Sequence, residues 1–167
     1  MNDRTQSVLN LAPGTPFEGG FFGGIAHIGD ALYALIVAPK ADGETELPWI
    51  DKYKAVPGAQ SYDDGLANTA AMREAGSDLA KWVTDLRIAG HADWYLPSQD
   101  ELEILYRNLK PTTRENYCYA RSGINLSAAV PTRPYTPTHP VQTPAEPFQS
   151  GAAEAFDSTW YLSLIHI

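Results

Sequence analysis

Asp100, Glu101 and Glu103 stand almost side by side, and carboxylates this close are among the few groupings in the chain with acid–base chemistry within reach. They follow Ser98, however, and Ser with Glu three residues later is a capping box, in which each side chain takes the other's free backbone N–H. Negative charge at a helix start is also favoured by the macrodipole, so the trio reads as structural capping. The single cysteine, Cys118, excludes an internal disulfide framework and a Cys-rich zinc site, and reads as a partly buried thiol. His27 has no second His or Cys at ligand spacing and reads as a packed or edge histidine. Phosphate-loop, dinucleotide, zinc-protease and EF-hand patterns do not occur. The expectation is a non-enzymatic chain with no catalytic residue, no metal and no cofactor. Recognition chemistry is better represented. Trp49, Arg133, Tyr135 and His139 are the candidate ligand contacts, because aromatics and Arg on loops dominate recognition surfaces.

These side chains need elements to position them. Trp94, Tyr95 and Leu96 form a short apolar run that Pro97 stops, and the Ser98 box starts a helix. Leu102, Leu105, Tyr106 and Leu109 place one stripe of it on a core, Gln99, Glu103 and Arg107 are expected in solvent, and Pro111 ends it. Upstream, residues 21–28 and 31–38 alternate as two strands about a Gly29-Asp30 turn, the clearest hairpin in the chain. Gly19, Gly20, Gly23 and Gly24 mark either bulges or a close backbone approach. Pro39 and Asp42-Gly43 are expected to close the hairpin, and Leu47-Pro48-Trp49-Ile50 reads as a short edge strand. Asp63 or Asp64 caps a helix through Leu66, Ala67, Ala70 and Ala71 to Gly76, whose alanines suit close packing on a sheet. Ser77 caps a second helix with its stripe on Leu79, Trp82, Val83 and Leu86. Beyond Pro111 periodicity fades. Pro131, Pro134, Pro137 and Pro140 put one proline on each turn of a polyproline II helix within a proline-rich loop over 131–147, read either as a stiff surface loop or as a ligand-contacting one. Phe148 to Phe156 predicts a helical turn, and Thr159-Trp160-Tyr161 the start of a strand.

One segment also carries a resemblance. Gly90-His91-Ala92-Asp93-Trp94-Tyr95-Leu96-Pro97-Ser98, followed by Glu101-Leu102, resembles the signature of the Lcl C-terminal domain family: Gly, then Asp-Trp-Arg-Leu-Pro, Ser or Thr, and Glu-Leu. Tyr95 replaces the usual Arg, so no ion pair is carried over from that position. Tyr62 to Ala67 loosely matches the helix that precedes this element in the family. The resemblance implies a C-type-lectin-like fold from bacterial or phage proteins, with Asp93, Trp94, Leu96, Pro97, Ser98 and Glu101 as its structural motif. A similar element occurs in formylglycine-generating enzymes, but their cysteine pair has no counterpart beside Cys118. The calcium-binding tripeptides of sugar-binding C-type lectins are missing too, so calcium-dependent sugar binding is not expected.

Length and charge bound the rest. A chain of 167 residues suits one domain, which at this size buries roughly 70% of its unfolded surface. A net charge of −8 argues against nucleic acid as a partner, and the absence of a long apolar run argues against membrane insertion. No signal peptide is visible, which predicts synthesis in a cytoplasm. Residues 1–15 read as an arm or linker and 16–161 as one α+β domain: an N-terminal antiparallel hairpin, two to three short helices and a long irregular loop region. Leu162 to Ile167 matches the translation of a transposase mosaic-end sequencing adapter, which predicts a truncated reading frame whose natural sequence stops near Tyr161. The functional expectation is a recognition domain of a phage tail fibre or an adhesin, binding a cell-surface glycan or protein, with a homo-oligomer within a fibre as a further expected partner. The alternatives are a structural virion protein and an enzyme of the formylglycine-generating type.

Overall fold

The computed structural model describes residues 8–50, 55–117, 124–130 and 132–157. Within them the chain is α+β, with a three-stranded antiparallel sheet in the order β1 (Pro16–Phe17), β2 (Gly20–Ile28), β3 (Ala31–Val37). The helices are α1 (Lys40–Gly43), α2 (Gly65–Glu74), α3 (Asp78–Asp85) and α4 (Gln99–Leu109), followed by a 3-10 turn at Glu146–Phe148. The expected Cys118 thiol, the strand start at Thr159 and the adapter-like end all lie outside the described residues.

The hairpin forms where alternation placed it. Gly29, at φ +59°, and Asp30 make the two-residue turn, and Ile28 faces Ala31 across it. The register slips between Phe22 and Gly24, so Gly23 is a bulge. The same glycines also admit a close approach. A Cβ on Gly23 would collide with Leu105 of α4, and one on Gly24 would lie 2.8 Å from Ile104 Cγ2. Helix α4 therefore crosses the sheet through a notch without side chains, and Asn108 Nδ2 donates to Gly23 O at 2.8 Å to hold it there. Ala26, Leu35, Ile104 and Leu105 form the core of this crossing, with Val37, Ala128 and Phe156 around it. On the other edge of β2, His27 N donates to Ser127 O and Ala129 N to Ile25 O, so residues 127–129 act as a short extra strand. The His27 side chain is exposed.

A second core joins Val56, Ala59, Met72 and Ala80, against which Trp49, Ile50, Ala71 and Leu96 pack. Burying a side chain as completely as Met72 contributes about 1.5–3 kcal/mol.

Several expectations are corrected. The described end of the supposed arm is pinned: Gly14 N donates to Phe22 O at 2.7 Å and Phe22 N to Thr15 O at 2.9 Å. Pro39 begins the helical turn α1, with Gly43 N bonded to Pro39 O, where a simple hairpin exit was expected. Residues 47–50 form no strand: Pro48 has no N–H to give a ladder, and Trp49 and Ile50 turn into the second core. Helix α2 is capped by Asp64 as predicted, but it buries Gly65, Asn68, Thr69 and Met72, leaves Leu66 exposed, and packs on α3 and not on the sheet. Its inward polar groups are satisfied, since Asn68 exchanges bonds with Ser61 N and O at 2.9 and 2.7 Å. The polyproline II reading of 131–140 fails after Tyr135, because Thr136 and His139 bond reciprocally at 3.0 and 3.2 Å around a turn with Pro137 at its second position. Helix α3 is capped by Ser77 as expected and buries Val83, but Ala80 is its other buried residue and Leu79, Trp82 and Leu86 of the expected stripe are only half-buried.

Candidate functional site

The segment 91–101 is fixed by hydrogen bonds converging on one carboxylate. Ser98 Oγ accepts from Glu101 N at 3.3 Å, and Glu101 Oε2 accepts from Ser98 N at 2.7 Å, completing the capping box. The same Oε2 accepts from Gly65 N, the first residue of α2, at 3.0 Å. Only glycine permits this docking, since a Cβ there would sit 2.5 Å from both Glu101 Oε2 and Leu96 O. Tyr95 Oη donates to Glu101 Oε1 at 2.6 Å, so the residue that departs from the family pattern reaches Glu101 by a hydroxyl. Burial first, and the Glu101 carboxylate second, hold the Tyr95 phenol far above its ordinary range. Leu96 N donates to Thr69 Oγ1 at 3.0 Å and Asp100 N to Tyr62 O at 2.9 Å, so α2 and its lead-in clamp the segment on both sides of Pro97.

The outer side of this segment is one wall of an open cleft of about 590 Å³. Asp93, Trp94, Leu96 and Pro97 contribute that wall, Trp82, Val83 and Leu86 of α3 a second, and Leu35 to Val37 of β3 with Phe17 and Phe156 a third. Its rim is mainly acidic. Glu18 pairs with His91 Nε2 at 3.2 Å. Lys40 Nζ lies 2.9 Å from Asp157, 3.7 Å from Glu44 and 3.0 Å from Ala155 O, which neutralises the one lysine lining the cleft among the described residues. Burial raises the Glu44 carboxyl above its ordinary range; Lys40 opposes this, and Asp157 and Glu154 add to it. Asp93 is exposed and has no hydrogen-bond or ion-pair partner among the described residues. The Trp94 indole N–H is buried and likewise unpartnered among them.

On the opposite side of α4 a polar cluster pins the proline-rich loop. Glu103 and Arg107, expected in solvent, form an ion pair whose side chains are only 12% and 7% exposed. The loop folds over them: Arg107 Nη1 donates to Arg133 O at 2.5 Å, and its guanidinium lies 4.3 Å from the centre of the Tyr135 ring. Asn125 Nδ2 donates to Glu103 Oε2 at 2.6 Å and to Asp100 O at 2.9 Å, and Ser127 Oγ donates to Asp100 Oδ2 at 2.6 Å. Burial chiefly, with Glu103 next and Arg107 opposing, pushes the Tyr135 phenol well above its ordinary range.

The four predicted contact residues are therefore scattered. Trp49 packs on the second core, Tyr135 is half-buried under Arg107, His139 is half-buried in the loop turn, and the Arg133 side chain is exposed. The loop residues share a neighbourhood, but no described contact joins Trp49 to them. The motif residues Asp93, Trp94, Leu96, Pro97 and Glu101 all line the cleft, whereas Ser98 is fully buried as the cap. Sequence reasoning missed the cleft because its walls come from β3, α3 and the motif, far apart in the chain. The one available signal was Trp82, an aromatic of the expected α3 stripe that stays half-buried. Among the described residues no group of His, Cys, Asp and Glu is placed to hold a metal ion, and no helix is long and apolar enough to cross a membrane. No protein-family model, no curated protein and no solved structure matches this chain.

Proposed function

We propose that the chain is a C-type-lectin-like recognition domain of the Lcl C-terminal type, carried by a phage tail fibre or an adhesin, and that it binds a cell-surface glycan in the cleft beside the motif. The observation that carries this reading is the cleft itself. It is large enough for a small ligand, carries an aromatic on each of its three walls, and is backed by a segment held by the Glu101 hydrogen bonds. A rigid aromatic wall with polar groups at its rim suits a sugar, which offers an apolar C–H face and a hydroxyl edge. Probing a glycan array with the whole chain tests it. Binding should be lost in Trp82→Ala and kept in the Tyr135→Ala, His139→Ala double variant. The reverse pattern moves the site to the proline-rich loop, and a blank array removes the glycan reading.

A second reading, structural assembly as a homo-oligomer within a virion fibre, is favoured by β3. Among the described residues no strand pairs with its outer edge, and Leu32 and Tyr33 stand half exposed at its start. Light scattering separates the readings: a concentration-dependent oligomer that Leu32→Lys dissolves favours assembly.

A further inference from the structure

Charge on the cleft narrows the ligand class, and the inference rests on the cleft being a glycan site. Five carboxylates, Glu18, Glu44, Asp93, Glu101 and Glu154, line it against Lys40 and His91. Most are committed: Glu18 to His91, Glu44 to Lys40, Glu154 to the Lys40 backbone N–H at 2.7 Å, and Glu101 to the capping network. Lys40 and His91 are likewise committed, so among the described residues no basic side chain lining the cleft is left to meet an anion. Asp93 alone is exposed, lines the cleft and has no partner among the described residues. It directly precedes Trp94, which lines the same wall. A carboxylate without a counter-ion beside aromatic faces is the pairing that favours an ammonium group, by direct charge attraction and by attraction to the ring quadrupole. An acidic glycan would instead meet the chain's net charge of −8 and an acidic rim.

We infer that the cleft takes an amino sugar with a free amine, its ammonium group seated on the Asp93 carboxylate and its apolar face against the aromatic wall. The test uses isothermal titration of the whole chain at low salt and mildly acidic pH, where the sugar amine is protonated. The probes are a chitosan oligosaccharide, its fully N-acetylated counterpart, and an oligogalacturonate. The free-amine oligomer should bind about tenfold tighter than the acetylated one, in line with one partly desolvated ion pair. Asp93→Asn should erase that preference, and since Asp93 is exposed the variant should fold as the parent does. Tighter binding of the oligogalacturonate, equal binding of the two chito-oligosaccharides, or an undiminished preference in Asp93→Asn would overturn the ammonium assignment while leaving glycan recognition standing. Binding of none of the probes overturns it together with the glycan reading.

Discussion

Removing the Glu101 side chain is the sharpest perturbation the structure offers. Glu101 is 1% exposed, and its carboxylate accepts from Ser98 N, Gly65 N and Tyr95 Oη at 2.7, 3.0 and 2.6 Å. Glu101→Ala leaves two backbone N–H groups and a phenol without their acceptor at a largely buried position. Each orphaned donor costs about 1–3 kcal/mol, and water entering the new space recovers part of that, so the expected loss is about 3–5 kcal/mol. A domain stable by about 5–15 kcal/mol would lose a third or more of its margin. Glu101→Gln keeps an oxygen for the two N–H groups and an amide for Tyr95, at a cost of roughly 1 kcal/mol for the lost charge. Urea unfolding followed by tryptophan fluorescence measures both. A Glu101→Ala midpoint equivalent to less than about 0.5 kcal/mol would refute the claim that one carboxylate joins the two helices.

Three other outcomes are expected. Ser98→Ala removes the α4 cap and should lower stability by about 1 kcal/mol in the same assay; coincident melting midpoints would mean that the cap contributes nothing. Arg107→Lys cannot keep the Glu103 pair, the Arg133 carbonyl bond and the Tyr135 stack together, so stability should fall by about 1–2 kcal/mol and proteolytic nicking within 132–140 should accelerate, as timed digestion would report. At alkaline pH the raised Tyr95 phenol sets the sign. The unfolded chain ionises from about pH 10 while the folded one stays protonated, so stability present below that pH is lost above it, at about 1.4 kcal/mol per pH unit. Tyr95→Phe should therefore lose stability less steeply than the parent above pH 10, and parallel curves would contradict the burial of that phenol.

Elements set by local chemistry were legible in the sequence. The Gly29-Asp30 turn and the Asp64, Ser77 and Ser98 caps each depend on residues within a turn of one another, and each appears where the spacing put it. Faces decided by distant partners were not legible. The α4 stripe is rotated: Leu105 and Leu109 are buried as expected, but Ile104 is buried while Leu102 and Tyr106 are half-buried. The polar side of α2 is buried because Ser61 and Leu96 satisfy Asn68 and Thr69, and no periodicity announces that. Glu103 and Arg107 look like an ordinary wet pair until the 125–135 stretch folds over them. The same holds for the site. The motif was visible, but the cleft beside it depends on β3 and α3 arriving from elsewhere.

The extra pairing of β2 with residues 127–129 fixes a schedule for the nascent chain. Ala26 and its partner Ala128 are separated by most of the described sequence, and α4, which covers the hairpin's face, also follows much later. At a synthesis rate of about 5–20 residues per second, the hairpin leaves the ribosome roughly 5–20 s before residues 127–129, the partners of Ile25 to His27, are made. Through that interval the uncharged stretch Phe22-Gly23-Gly24-Ile25-Ala26-His27-Ile28, whose edge later takes residues 127–129, is open to the same stretch on neighbouring chains. The yield of folded protein therefore depends on how crowded the polysome is, and weak translation initiation, which spaces ribosomes along the message, should raise it.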